Sequence, residues 1–207
     1  MFDPASLALF LAAALVVAVT PGPGIFYVAA RTLAGGREEG LASSVGTGLG
    51  GLVHVVAGAA GVSALVMASA EAFTLLKFAG ALYLVSLGLK TIREARLAAP
   101  TGVGATGARR AFREGVVVEA LNPKTAAFFL AFIPQFVDPA AGVALQFALL
   151  GLISVALNTA ADIVVALLAS RARRALVERP RVIRRIREGS GLVICGLGVS
   201  LAFARRP

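Results

Sequence analysis

The stretch Asn122-Pro-Lys-Thr125 puts a charged lysine inside a long apolar run. From Gly115 to Val137 the run holds 23 residues, and a helix of that length rises about 34 Å, enough to cross a bilayer. The sequence therefore predicts a transmembrane helix. A lysine at its centre costs about 2.5 to 3.5 kcal/mol, so Lys124 is expected to face protein or a water-filled cavity. The alternative is that its flexible side chain extends to the membrane surface.

Two prolines interrupt the hydrogen bonding of this predicted helix. Pro123 cannot donate to the carbonyl of Glu119, and Pro134 cannot donate to the carbonyl of Leu130. Carbonyls freed in hydrocarbon need neighbouring protein, water or a substrate as partner. The prolines thus indicate either a simple kink or a place where a ligand binds.

The first apolar run carries a similar break, Thr20-Pro-Gly-Pro23, which frees the carbonyls of Val17 and Val19. Broken helices in corresponding positions of two halves mark binding sites in transporters, although two kinked helices can also coincide by chance. Helix segments that restart after the prolines present free N–H groups to a substrate carboxylate, with Lys124 as its counter-charge. The freed carbonyls, with Asp162, are expected to accept the substrate's ammonium. The predicted substrate-binding residues are Thr20, Pro21, Gly22, Pro23, Asn122, Pro123 and Lys124.

Three further ionisable residues lie in apolar runs. Asp162 is predicted at a depth that Lys124 can reach, which makes it a candidate charge partner and proton-coupling residue; the alternative is a structural salt bridge. His54, near the centre of its run, is a candidate proton relay, although a lone histidine is more often a hydrogen-bonded packing residue. Glu119 is a second carboxylate at a depth that Lys124 can reach, but it lies nearer a helix end, which favours a structural role or a place among lipid headgroups over a functional one.

Composition identifies the chain as an integral membrane protein. Of its 207 residues, 58% are hydrophobic and 15% charged, whereas soluble domains carry about 25% charged residues. The net charge of +9 comes from arginine blocks between apolar runs without interleaved aromatic residues, which favours membrane lipid over nucleic acid as the partner. The single cysteine, Cys195, excludes an internal disulfide. The sequence predicts no cofactor and no metal site.

Six apolar runs are long enough to be candidate spans, and the last is short enough that a five-span arrangement competes. The connections after spans one, three and five hold 16 lysines and arginines, against 3 on the other side. Because cytoplasmic loops carry the excess of positive charge, both termini are predicted outside the cytoplasm. The six runs are residues 6–30, 41–67, 73–90, 115–137, 142–168 and 190–204.

The predicted fold is a single all-α transporter domain over residues 1–207. A cytoplasmic linker at about 93–110 separates halves at about 1–92 and 111–207. Because each half has three spans, the halves enter the membrane in opposite directions, which is the arrangement of an inverted repeat. In the second span, Gly46 and Gly50 have the spacing of a close helix contact and are interpreted as packing residues. The arginine-rich segment 171–187 is expected to be an amphipathic helix on anionic lipid or a solvated loop.

Short motifs occur along the chain, namely Thr20-Pro-Gly-Pro23, Thr47-Gly-Leu-Gly50, His54, Lys77-Phe-Ala-Gly-Ala-Leu-Tyr-Leu-Val-Ser-Leu-Gly88, Asn122-Pro-Lys124, Phe128-Phe129, Pro134-Gln-Phe136 and Asp162. In their order and spacing they resemble the motifs of the lysine exporter (LysE/RhtB) family of bacterial amino-acid exporters, over nearly the whole chain. The resemblance implies a six-helix inner-membrane exporter of amino acids or close derivatives, driven by the proton gradient. Some relatives have an acidic residue directly after Pro-Gly-Pro, where this chain has Gly24.

The sequence thus predicts a non-enzymatic, proton-coupled exporter that works by alternating access between its two halves. Two alternatives stay open, namely an exporter of a metal or inorganic ion and a membrane-embedded subunit without transport activity. A membrane hydrolase is disfavoured, because no second aspartate lies in a span to form a catalytic pair with Asp162. Which solute is carried, and whether the chain forms a homodimer, does not follow from the sequence.

Overall fold

The structure, a computed structural model, describes residues 3–68 and 105–172, and single residues or pairs between 74 and 93 and between 181 and 203. For residues 62–68 it describes the backbone alone. Regular structure in these described ranges is entirely helical, as predicted. Most of the sixth predicted span, of the linker and of segment 171–187 lies outside the described residues, and so does part of the third span.

Helix α1 is Pro4–Val19. Asp3 caps its start by accepting a hydrogen bond from the N–H of Ser6 at 2.9 Å, and Pro4 occupies the first helical position. The helix ends at Thr20, whose backbone turns extended (φ −75°, ψ 114°) directly before Pro21. The break predicted within the first span is therefore present.

Helix α2 is Pro23–Ala68 and contains a kink at Gly36. Gly36 has φ 79° and ψ −165°, a conformation that is cheap only for glycine. The sequence predicted separate spans 6–30 and 41–67 with a connection of several residues. The structure shows that helix continues on both sides of this one glycine, so the connection between the two predicted spans is a kink.

Helix α3 is Ala108–Ala120, and after Leu121 and Asn122 the short helix α4 is Pro123–Ala127. A π-helical turn at Phe128–Phe132 and a 3₁₀ turn at Ile133–Phe136 follow. The widened turn coincides with the bond that Pro134 cannot donate. The predicted continuous helix from 115 to 137 is thus a series of segments. The helical stretch also begins before residue 115, at Ala108, which the sequence analysis assigned to the linker.

Helix α5 is Val143–Arg171 and corresponds to the predicted fifth span. Within the described residues, three helical stretches are long and apolar enough to cross a membrane: Pro23–Gly61, Ala108–Phe136 and Val143–Arg171. The apolar helix Pro4–Val19 is shorter. Six spans and an inverted repeat remain predictions.

Glycines bring α2 and α3 into close contact. A Cβ added at Gly46 would lie 2.2 Å from the carbonyl oxygen of Phe112, and one at Gly50 would lie 2.4 Å from that of Val116. Only a glycine hydrogen fits in these spaces, so the predicted packing role of both glycines is confirmed. The contact packs α3 against α2 on the face of α3 that carries Glu119.

An aromatic core lies where α1, α2, the π-helical turn and α5 meet. The ring centroids of Phe10 and Phe128 are 6.5 Å apart, and those of Phe129 and Phe147 are 6.1 Å apart. Phe10 lies on α1, before the first break, and Phe128 lies in the π-helical turn, after the second break. They hold α1 and the π-helical turn together, so the two breaks lie in one part of the molecule.

Candidate functional site

Lys124 joins the two broken helices. Its side chain is only 4% exposed, and its ammonium donates hydrogen bonds to the carbonyl oxygens of Val17, at 3.0 Å, and Thr20, at 2.9 Å. Pro21 has no N–H to donate to Val17, so the lysine takes the place of the missing helix bond. The expectation that Lys124 faces protein is met, and the side chain does not extend to a membrane surface.

Gly22 provides the room for this lysine. A Cβ added at Gly22 would lie 3.1 Å from Cδ, 3.2 Å from Cε and 3.4 Å from Nζ of Lys124. The ammonium also lies at the C-terminal end of α1, where the helix dipole favours a positive charge. The Thr20–Pro23 break therefore supplies both the acceptors and the space for a cation.

Asn122 organises the second break. Its Oδ1 accepts from the backbone N–H of Lys124 at 3.0 Å, which caps α4, and its Nδ2 donates to Glu119 Oε2 at 2.8 Å. The other carboxylate oxygen of Glu119 accepts from the hydroxyl of Thr125 at 2.6 Å. One asparagine therefore couples the cap of the lysine-bearing helix to a buried carboxylate.

Glu119 was expected in a structural role or among lipid headgroups, and the second expectation is wrong. The residue is 5% exposed, and its carboxylate lies against the start of α2, where a Cβ added at Gly24 would be 2.5 Å from Oε2. Its position near a helix end misled the sequence analysis, because that helix end is a break inside the molecule. The nearby Asn122 could have indicated a buried Glu119, because an amide side chain three residues further along the chain can donate a hydrogen bond to the carboxylate.

The carbonyl of Glu119, freed by Pro123, was a predicted acceptor for the substrate's ammonium. It instead lies 3.0 Å from the N–H of Asn122 and 2.8 Å from Nε2 of His54. A carbonyl can only accept, so Nε2 carries the proton in this bond. His54 also packs against Phe129 with ring centroids 5.7 Å apart. This arrangement favours the packing role of His54, and a proton relay through it stays a prediction.

Asp162 faces the same region from α5. It is 5% exposed, and its Oδ2 accepts a hydrogen bond from the hydroxyl of Thr47 on α2 at 2.7 Å. Among the described residues, no ion pair within 4.0 Å joins Lys124 to Asp162 or to Glu119. The predicted pairing of Lys124 with Asp162 is therefore absent from this conformation.

A polar cavity of about 10 Å³, with room for about one water molecule, lies between α2, α5 and the second break. Both carboxylates line it, together with residues that the sequence analysis did not single out for this role. Hydroxyl and amide side chains inside apolar helices were the available signal. The polar side chains of the lining are Thr47, Glu119, Thr125, Asn158, Thr159 and Asp162.

A second polar cluster ties the Gly36 kink to the start of α3. Glu39 Oε1 accepts from the backbone N–H groups of Thr106, at 2.7 Å, and Gly107, at 2.6 Å. Arg31 donates to the hydroxyl of Thr106 at 2.8 Å and pairs with Glu114 at 3.2 Å. Arg31 was predicted to flank the membrane as loop charge, but it is 9% exposed and part of this network.

The comparisons with known proteins agree with the resemblance seen in the motifs. The sequence model of the LysE type translocator family matches residues 15–205. The chain belongs to the LysE family. The matched residues include the whole site described above, from the Thr20–Pro23 break to Asp162.

Two of the relatives cover almost the full length of this LysE family chain. An uncharacterized membrane protein of Vibrio cholerae serotype O1 is 32% identical over 197 residues, 95% of this chain and 96% of the relative. The homoserine/homoserine lactone efflux protein of Salmonella typhimurium is 30% identical over 199 residues, 95% of each chain. A leucine efflux protein of Salmonella typhimurium is 28% identical over 133 residues, 62% of each chain. No solved structure matches the chain.

Proposed function

We propose that this LysE family translocator exports amino acids or close derivatives across the bacterial inner membrane. The names of its relatives support this substrate class, since they are efflux proteins for homoserine, its lactone and leucine. These compounds share a primary amine next to a carboxylate or ester carbonyl. A site for them needs acceptors for an ammonium and a donor for a carboxyl group.

The observation that carries the proposal is the position of Lys124. A buried lysine binds the carbonyls at the end of one broken helix from the start of another, and both breaks lie against the aromatic core. Broken helices that face each other across two halves of a chain are the sites around which transporters alternate. In the proposed mechanism, Thr20–Pro23 and Asn122–Lys124 bind the substrate, and the halves rock about them.

Proton antiport is the proposed driving reaction. Asp162 supports it as a buried carboxylate bonded to Thr47 beside a cavity with room for about one water. Proton uptake by Asp162 would change its bonding to Thr47 and to any cation nearby. His54 is the second candidate for this step, through its bond to the carbonyl of Glu119.

Efflux of radiolabelled amino acids tests the proposed function. Cells loaded with L-homoserine, L-leucine, L-lysine or L-threonine are compared with and without the gene, with Lys124→Met as a matched inactive variant at equal membrane abundance. We expect faster efflux of at least one of these compounds with the wild-type gene alone. If none leaves faster while an inorganic cation such as Mn²⁺ does, the chain is an ion exporter and the proposal is wrong.

A further inference from the structure

We propose that the carbonyls of Val17 and Thr20 form an ammonium site that Lys124 itself occupies in this conformation, and that the primary ammonium of a substrate competes with Lys124 for it. The inference rests on the proposed function and adds a regulatory element to the same site. Lys124 would act as a tethered competitor, leaving only when a suitable substrate replaces it.

The chemistry of the site is selective for an ammonium group with N–H donors. The ligands of the Lys124 nitrogen are two neutral carbonyl oxygens, at 2.9 and 3.0 Å, at the C-terminal end of a 16-residue helix. Neutral acceptors at a helix C-terminus favour a cation through dipoles and hydrogen bonds. A substrate ammonium offers the same three donors as the lysine does.

The nearby carboxylates have other partners. Glu119 accepts from Asn122 and Thr125, and Asp162 accepts from Thr47. The charge of Lys124 is therefore balanced by backbone dipoles and not by an ion pair within 4.0 Å in the described part of the chain. A lysine held in this way gains a full ion pair if an anion reaches it.

An amino acid supplies both groups that the exchange requires. Its ammonium replaces Lys124 at the carbonyls of Val17 and Thr20, and its carboxylate then pairs with the displaced Lys124. A simple amine displaces the lysine without offering it an anion. A simple carboxylate that draws the lysine away removes the ammonium donor from both buried carbonyls and leaves that of Val17 only the N–H of Thr20 at 3.3 Å, which is costly. The tethered lysine thus discriminates in favour of molecules that carry an amine and a carboxyl group together.

Binding of radiolabelled methylammonium to the purified protein tests the inference. The wild-type site is filled by a tethered ammonium at high effective concentration, so methylammonium should bind weakly. In Lys124→Ala the competitor is gone and its space is open, and we expect affinity for methylammonium to rise by at least about tenfold. The matched control is Lys90→Ala, which truncates an exposed lysine elsewhere and should bind like wild type.

Two further measurements keep the inference falsifiable. Tetramethylammonium has no N–H donor and should not displace methylammonium from Lys124→Ala. Gly22→Ala retains the lysine but puts a Cβ 3.1 to 3.4 Å from its side chain, and should give an intermediate affinity even if Lys124→Ala fails to fold. The backbone of Gly22 lies outside the positive-φ region, so alanine is tolerated there.

Equal methylammonium affinity in wild type, Gly22→Ala and Lys124→Ala would overturn the inference. Equal displacement by tetramethylammonium would overturn it as well, because the site would then be a simple cation cage. Neither result depends on transport. Failure of the proposed function would appear separately, as a wild-type protein that exports no amino acid from loaded cells.

Discussion

The ammonium of Lys124 lies 2.9 Å from the carbonyl oxygen of Thr20, across 104 positions of sequence. One residue ends the first broken helix and the other lies in the first turn after the second break. The first half of the chain thus supplies two carbonyls at a broken helix end, and the second half supplies the ammonium that binds them. If the two halves move relative to each other, either this hydrogen bond breaks or Lys124 and Thr20 move together.

Lys124→Met should reduce amino-acid efflux by at least about tenfold while the protein remains inserted, because two charge-assisted hydrogen bonds at the site are lost. Lys124→Arg should also export poorly, since a planar guanidinium does not replace a compact ammonium over Gly22. Efflux is measured at matched membrane abundance, with Lys90→Met as control. Normal efflux by Lys124→Met would mean that the lysine has no part in transport.

Asp162 and Lys124 should be coupled in some conformation of the transport cycle, although not in this one. We expect Asp162→Asn to lower thermal stability in detergent and to make efflux insensitive to external pH. The double variant with Lys124→Met should be more stable than the sum of the single losses, because a single charge left buried costs more than none. Additive losses would show that the two residues do not interact, and an unchanged pH profile would remove Asp162 from proton coupling.

The hydroxyl of Thr47 should stabilise the buried carboxylate of Asp162. Thr47→Val removes their 2.7 Å hydrogen bond and should cost about 1 to 3 kcal/mol, measured by unfolding in detergent. Thr32→Val is the matched control, because both buried hydroxyls have a carbonyl acceptor in their own helix and only that of Thr47 also lies against a carboxylate. Equal losses in the two variants would contradict a specific contribution to Asp162.

The contact between α2 and α3 should depend on Gly46. An alanine there would bring its Cβ to 2.2 Å from the backbone oxygen of Phe112, so the helices must move apart at a cost of about 1 to 3 kcal/mol. Gly61→Ala is the control on the same helix, where no described atom lies within 4 Å and alanine should be neutral or stabilising. Equal melting temperatures for Gly46→Ala and wild type would refute this packing.

The topology should be six spans with both termini outside the cytoplasm, as the distribution of basic residues predicts. Reporter fusions after Ala99 and Glu178 are expected to give a cytoplasmic signal, and a fusion after Arg206 an external one. A cytoplasmic signal after Arg206 would reduce the number of spans to five and rule out the inverted repeat.

The membrane class and both helix breaks could be predicted from the sequence, because each has a local cause. Apolar composition determines the class, and prolines at 21, 23 and 123 remove N–H groups wherever the helices pack. The close contact at Gly46 and Gly50 was also predictable, since residues four apart lie on one face of a helix.

The partners of the freed groups were decided by the tertiary structure. Whether the carbonyl of Val17 meets a substrate, a water or Lys124 depends on how α1 and α4 pack, and no local pattern records it. The burial of Glu119 likewise depends on helix packing. Its position near a helix end suggested lipid headgroups, but α2 lies against it at Gly24 and Gly50. Hydrogen bonds between residues about a hundred positions apart form only when helix packing brings them within 3 Å, so the partners at this site follow from the fold.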